Sequence, residues 1–206
     1  MIVDIAREYL GTGKSGIAAI MDYYNREVFP LVEPSRKYRI QPNDDWCMCF
    51  ASVVAHKAGI KRFPWEVSTY YALQLLKARG DAFTRPHEAM RGDLVFFDWN
   101  GSGTPNHVGF VVSVGDGSVV TIEGNQRGTV GTRTVVDTSR KLLAFAGVGR
   151  GAGVDPVQAA RLDHARIESL AYAVLRGAYG DGDARREALG DDYGAVQSVV
   201  NSLLKK

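Results

Sequence analysis

The feature that most constrains this chain is a change of hydrophobic period between residues 80 and 93. Up to Gly80, apolar residues recur at helical spacing through Ile2–Leu10, Ile17–Phe29, Trp46–Ala58 and Val67–Leu76. Gly59 and Gly80 are natural C-terminal stops for two of these helices. From Asp93 the chain turns to short β-rich runs, Leu94–Phe97, His107–Val114, Val119–Ile122, Thr132–Val136 and Leu142–Val148, punctuated by Gly, Asn and Asp. Helices followed by a meander of strands predict an α+β domain, with the N-terminal helices packed on an antiparallel sheet.

That pattern ends at Gly147-Val-Gly-Arg-Gly-Ala-Gly153, whose glycines give it the composition of a flexible linker. Beyond it Asp155-Pro156 reads as a helix start. Ile167, Leu170, Ala171, Val174 and Leu175 form an apolar stripe ending at Gly177. Ala184–Leu189 and Gly194–Leu204 complete three short helices. The expected division is a catalytic-type domain over 1–148, a linker and helix start over 149–160, and a three-helix domain over 161–206. The last of these is at the lower size limit for independent folding, and no second copy of it occurs.

Composition excludes several classes. With 206 residues, 45% hydrophobic and 23% charged, the chain matches globular averages, and no stretch approaches the roughly 20 apolar residues of a membrane helix. The net charge is +2, split as +3 before residue 151 and −1 after it, without a basic run, so nucleic acid is not an expected partner. Met1–Leu10 has neither a basic n-region nor an apolar h-region, which predicts no Sec signal. Cys47 and Cys49 lie two apart in a predicted helix, where their side chains diverge, so both are expected as free thiols.

Asp44-Asp45-Trp46-Cys47-Met48-Cys49-Phe50-Ala51 opens that helix, with Asp44 or Asp45 expected as N-cap and Cys47, Phe50, Ala51, Val54 and Ala58 as its buried stripe. In the first turn, unpaired backbone amides and the positive end of the helix dipole stabilise a thiolate, and the same amides can serve an oxyanion hole. Taken alone, a cysteine here is by default a small apolar core residue, and Cys49 is read that way. A zinc site from Cys47, Cys49 and His56 lacks both the usual ligand spacing and a fourth ligand, so no metal site is expected.

A thiolate nucleophile needs a base, and Asn106-His107-Val108-Gly109 places a histidine at the start of a strand. A three-residue loop, Gly115-Asp116-Gly117, would pair His107 with Asn125 and Gly109 with Glu123. In that register one face collects Val108, Phe110, Val112, Val120 and Ile122. The other collects His107, Gly109, Ser113, Thr121, Glu123 and Asn125, with Val111 and Val119. An even loop would set Glu123 against Phe110. The cleaner apolar face thus puts His107, Glu123 and Asn125 together, where Glu123 or Asn125 can hold the imidazole and Gly109 leaves room for the carboxylate. Gln41, six residues before Cys47, stands where papain-like enzymes place an oxyanion-hole glutamine. His56, His87 and His164 are read as surface residues.

Trp46-Cys47-x-x-Phe50, Gly92-Asp93-Leu94-Val95-Phe96-Phe97, His107-Val108-Gly109 and Glu123-Gly124-Asn125 together resemble the CHAP family of cysteine, histidine-dependent amidohydrolases/peptidases. The resemblance covers residues 1 to about 150. It implies a papain-like α+β fold that cleaves peptidoglycan, as an N-acetylmuramoyl-L-alanine amidase or a stem or bridge endopeptidase, with Cys47, His107, Glu123 and Asn125 as the catalytic set. Some members carry a calcium loop of alternating aspartates. Here only Asp44-Asp45 approaches it, without the alternation, so no cofactor is called for.

The tail resembles one CW-seven cell-wall-binding repeat of phage lysins, through Ile167 to Ala171, Gly177-Ala-Tyr-Gly180, Gly182, Arg185, Leu189, Tyr193, Val196-Gln197 and Val200-Asn201. Tyr179 stands where that family usually has Trp, and Asp181 where it has Asn. The resemblance implies wall binding by Tyr179, Asp181, Arg185 and Tyr193, with a homo-oligomer through the C-terminal domain as a route to firm attachment. With the absent Sec signal, it implies a phage endolysin made in the bacterial cytoplasm, released through a holin lesion and acting on a Gram-positive wall. The rival readings are a non-hydrolytic wall-binding protein and a papain-like protease acting on proteins.

Overall fold

The computed structural model describes residues 2–148 and 167–204, residue 169 excepted. The Gly-rich segment from residue 149, the Asp155-Pro156 helix start and His164 lie outside the described residues. The first stretch forms helices α1 (Ile2–Arg7), α2 (Lys14–Tyr23), α3 (Cys47–Lys57) and α4 (Thr69–Ala78). Strands follow: β1 (Ala82–Phe83), β2 (Leu94–Phe97), β3 (His107–Gly115), β4 (Ser118–Gln126), β5 (Thr129–Val136) and β6 (Leu142–Ala146). They pair antiparallel in one sheet of order β1-β6-β2-β3-β4-β5. This is the expected α+β arrangement, with the helices first and the sheet after them. β1, two residues long, is too short for alternation to reveal it.

α2 does not stop at Tyr23. It continues through a π-helical turn, Tyr24–Val28, and a 3-10 turn, Phe29–Leu31, in which Pro30, lacking an N–H, prevents further α-helix. The expected single-sided stripe on α3 is too narrow. Every residue from Trp46 to Ala55 is buried, because β3 and β4 cover one side of the helix while α1 and α2 cover the other. Phe50 meets Tyr9 and Trp46 edge-on, with ring centroids 5.8 and 6.4 Å away. Burying a side chain of this size contributes roughly 1.5–3 kcal/mol. The helical face of the sheet holds Leu94, Phe96, Val108, Phe110 and Ile122. A second cluster, Val95, Phe97, Val111, Val119 and Phe145, fills the opposite face. With both faces packed, β2 reads Leu-Val-Phe-Phe without alternation.

The β3–β4 hairpin corrects the expected loop while keeping its consequence. Gly115 pairs with Ser118, so the turn is the two-residue Asp116-Gly117. Both turn residues are left-handed, with φ 53° and 67°, as the turn that follows strand twist requires. An even loop should offset the whole register by one. A bulge at Val112 returns that residue: Ser113 faces Val120, but Val111 faces Thr121 and Phe110 faces Ile122. Near His107 the register is therefore the odd one, and Gly109 lies against Glu123.

In the tail, the described residues of 167–175 are helical (α5), followed by α6 (Gly182–Leu189) and α7 (Tyr193–Leu203). Leu170, Ala171, Val174, Leu189, Val196 and Val200 form their shared core. Leu175, expected in the stripe, is 39% exposed, and Ala173 is buried instead.

Candidate active site

Cys47 is the first residue of α3 and only 4% exposed. The expected aspartate cap is not formed. Trp46 occupies the N-cap position, and no side chain caps the helix. Both aspartates are engaged elsewhere. Asp44 Oδ2 accepts from Gln41 N (2.7 Å) and Tyr38 Oη (2.9 Å), and Asp45 Oδ1 accepts from Asn125 Nδ2 (2.9 Å). The first-turn amides of α3 are thus left without a side-chain acceptor beside the Cys47 sulfur, a setting that favours an oxyanion formed next to it. Burial, with Cys47 beside it, pushes the Cys49 thiol well above its ordinary range, so Cys49 stays protonated and unreactive.

His107 opens β3 and is largely buried. Its Nε2 lies 3.0 Å from Glu123 Oε2, and Cys47 lies close enough to act on the imidazole. With Nε2 committed to Glu123, Nδ1 is the nitrogen left for the sulfur. Burial alone would lower the imidazole pKa, but the hydrogen bonds and charges of Cys47 and Glu123 outweigh it and raise the value to about 9. Glu123 has no exposed surface. Burial works against its charge, yet hydrogen bonds from His107 and Thr121, with the charges of His107 and Arg133, hold its carboxyl below the usual range.

Glu123 fits because Gly109 has no side chain. A Cβ on Gly109 would lie 2.6 Å from Glu123 Cγ and 3.0 Å from the Ile122 carbonyl oxygen. Gly124 is required for another reason, since a Cβ there would meet Phe50 Cβ at 2.5 Å. That close approach lets α3 lie against β4 and brings Cys47 to His107.

The Asn125 side chain, expected beside Glu123 at the imidazole, is placed elsewhere. After Glu123 the β4–β5 ladder is interrupted, Asn125 takes a left-handed φ of 57°, and its amide turns to Asp45 rather than to the imidazole. It ties β4 to the segment leading into Cys47. Gln41 is exposed, and its Nε2 donates to the Arg39 carbonyl at 2.9 Å. His56 is not a simple surface residue. Its Nδ1 lies 3.0 Å from Tyr23 Oη, and its ring is edge-on to Trp65. His87 is half-buried, edge-on to the Tyr179 ring.

Of the expected wall-binding residues, Asp181 has a fully exposed side chain, whereas Arg185 is turned inward. Arg185 donates to the Gly180 carbonyl (2.7 and 3.0 Å), to Asp181 Oδ1 (2.9 Å) and to Gln197 Oε1 (3.2 Å), joining the 180–181 loop to α7. Tyr179 and Tyr193 pack on the tail core, and the Arg186 guanidinium lies over the Tyr193 ring.

Two partners of Glu123 escape a sequence reading. Thr121 falls on the expected polar face, but its bond to Glu123 Oε1 (2.5 Å) requires the structure. Arg133 on β5 places Nε 3.1 Å from each carboxylate oxygen. The sequence shows only a β-rich run, Thr132–Val136, and only the pairing of Thr121 with Arg133 puts that charge beside the site.

A cysteine at a helix N-terminus, a histidine on a strand and a buried carboxylate behind it form an arrangement that cysteine-histidine hydrolases use. Comparison with known families finds two matches: residues 39–125 match the CHAP domain and residues 168–204 match the CW_7 repeat. The chain thus carries a CHAP domain, which suggests a peptidoglycan hydrolase with amidase or peptidase activity, and a repeat that suggests cell-wall binding. No curated protein and no solved structure matches it.

Proposed function

We propose that the protein cleaves an amide bond of bacterial peptidoglycan with Cys47 as nucleophile. The observation that carries this is the line Cys47, His107, Glu123, with His107 Nε2 3.0 Å from Glu123 Oε2 and Cys47 close enough to act on the imidazole. Cys47 Sγ attacks the carbonyl carbon, the uncapped first-turn amides of α3 face the developing oxyanion, and His107 gives its proton to the departing amine as the C–N bond breaks. Water then attacks the thioester, His107 takes the proton, and the sulfur is released. Glu123 orients the imidazole. Asn125 acts one step away, by holding Asp45 and the Cys47 approach. Gln41 serves the oxyanion only after exchanging its Arg39 contact.

The scissile bond is the link from N-acetylmuramic acid to L-alanine or a peptide bond of the stem or bridge. The C-terminal repeat holds the enzyme on the insoluble polymer, raising its local concentration. Asp181 presents to the wall, Arg185 fixes the loop that carries it, and Tyr179 and Tyr193 frame that loop. Self-association through the C-terminal domain strengthens attachment. The two matched modules fit a phage endolysin made in the host cytoplasm and released to a Gram-positive wall through a holin lesion.

Mass spectrometry of fragments released from purified Gram-positive sacculi tests this. Intact stem peptides freed from glycan identify an amidase, and cuts within stems or bridges identify an endopeptidase. Release of nothing from sacculi that the protein binds would favour a wall-binding protein without hydrolase activity.

A further inference from the structure

Glu123 is an anion with no exposed surface, and such a charge persists only where it is matched. His107 matches it while protonated. Once His107 has given its proton to a leaving amine, the carboxylate depends on another cation. Arg133 is that cation. It lies on β5, outside residues 39–125, and its Nε sits 3.1 Å from both carboxylate oxygens. Thr121 completes Oε1 and His107 completes Oε2, so each oxygen has assigned donors and the carboxylate plane is fixed. The guanidinium lies over the Trp99 ring, 4.7 Å from its centroid. Trp99 stacks on Phe97 at 4.8 Å, and Phe97 is the β2 partner of His107. The circuit closes on the imidazole it serves.

We propose that Arg133 is a positioning residue: a permanent counter-charge that keeps Glu123 ionised through the reaction and so holds His107 in the orientation and charge that Cys47 needs. This rests on the reading of Cys47, His107 and Glu123 as the reacting set. The charged and titratable groups involved are Cys47 from α3, His107 from β3, Glu123 from β4 and Arg133 from β5. Two effects of removing Arg133 oppose each other. Loss of a nearby cation favours the imidazolium, but an unmatched buried Glu123 takes up a proton and withdraws the anion bonded to the imidazole. The second dominates, because Glu123 touches His107 directly and is fully buried, whereas Arg133 reaches His107 only through Glu123.

The test is the pH dependence of Cys47 alkylation by iodoacetamide, read by peptide mass spectrometry with Cys49 as internal control. It needs no wall polymer, so its outcome is separate from that of the substrate assignment. In Arg133→Met the alkylation onset should move about one pH unit upward. Glu123→Gln should shift it likewise, and the double variant no further than Glu123→Gln alone. Arg133→Lys, which keeps the charge but not the guanidinium seat on Trp99, should fall between wild type and Arg133→Met, and it serves if the methionine variant does not fold. An Arg133→Met or Arg133→Lys profile superimposed on wild type, with lowered thermal stability, would leave Arg133 merely structural and overturn the proposal. So would additive shifts in the double variant.

Discussion

At the scale of residues, His107 and Glu123 titrate in opposite directions, and the signs set the pH behaviour. The His107 pKa is raised from 6.5 to about 9, so its contribution to stability is complete below pH 6.5 and lost as pH climbs towards 9. That of Glu123 is lowered from 4.5, so its contribution is present above 4.5 and lost as pH falls through the folded value. Their joint contribution to thermal stability should therefore be greatest between pH 4.5 and 6.5, measurable as Tm against pH in wild type and in Glu123→Gln. Turnover should fall as pH rises through about 9, where His107 loses the proton meant for the leaving amine. Gly109 gives a steric counterpart. In Gly109→Ala the new methyl would push directly on Glu123 Cγ, so activity should fall by about 10²-fold or more for a stability loss of about 1–3 kcal/mol. Activity within threefold of wild type would show that Glu123 has slack.

Among the elements, the contrast is between a glycine that serves the turn and one that serves the site. Gly117 has φ 67° and open space around it, so Gly117→Ala should cost about 1 kcal/mol and leave turnover unchanged. Gly124→Ala drives a methyl into Phe50 and displaces α3, so turnover should drop at least tenfold even where the protein still melts cooperatively. Circular dichroism melts beside activity separate the two. The same elements show what sequence can carry. α3, β2 and the odd register near His107 were readable, because helix period and the segregation of Val108, Phe110 and Ile122 from His107 and Glu123 are one-dimensional signals. The Val112 bulge was not, since Val111-Val112 is apolar for either face and hides the extra residue. The capping of α3 and the turn of Asn125 also escaped. Asp44, Asp45 and Asn125 chose partners across loops, and nothing local ranks those above the helix end. Arg133 needed a strand pairing to come into view.

Across the whole molecule, the CHAP domain and the CW_7 repeat occupy different parts of the chain, and the proposed division of chemistry from attachment between them is testable. Arg185 has only 17% of its side chain exposed and makes its bonds within the tail, so Arg185→Ala should cost the tail about 2–3 kcal/mol. Sacculus binding of the full chain, measured by co-sedimentation, should weaken at least tenfold while cleavage of soluble muropeptides stays near wild type. Equal losses in both would tie the repeat to the catalytic step instead. The central claim is the identity of the nucleophile. The measurement that addresses it is the rate at which new amino groups appear on sacculi incubated with wild type or Cys47→Ala, both first shown to bind sacculi and to melt alike. The account predicts at least a 10³-fold lower rate for Cys47→Ala. A rate within tenfold of wild type would contradict it and place the reacting group elsewhere.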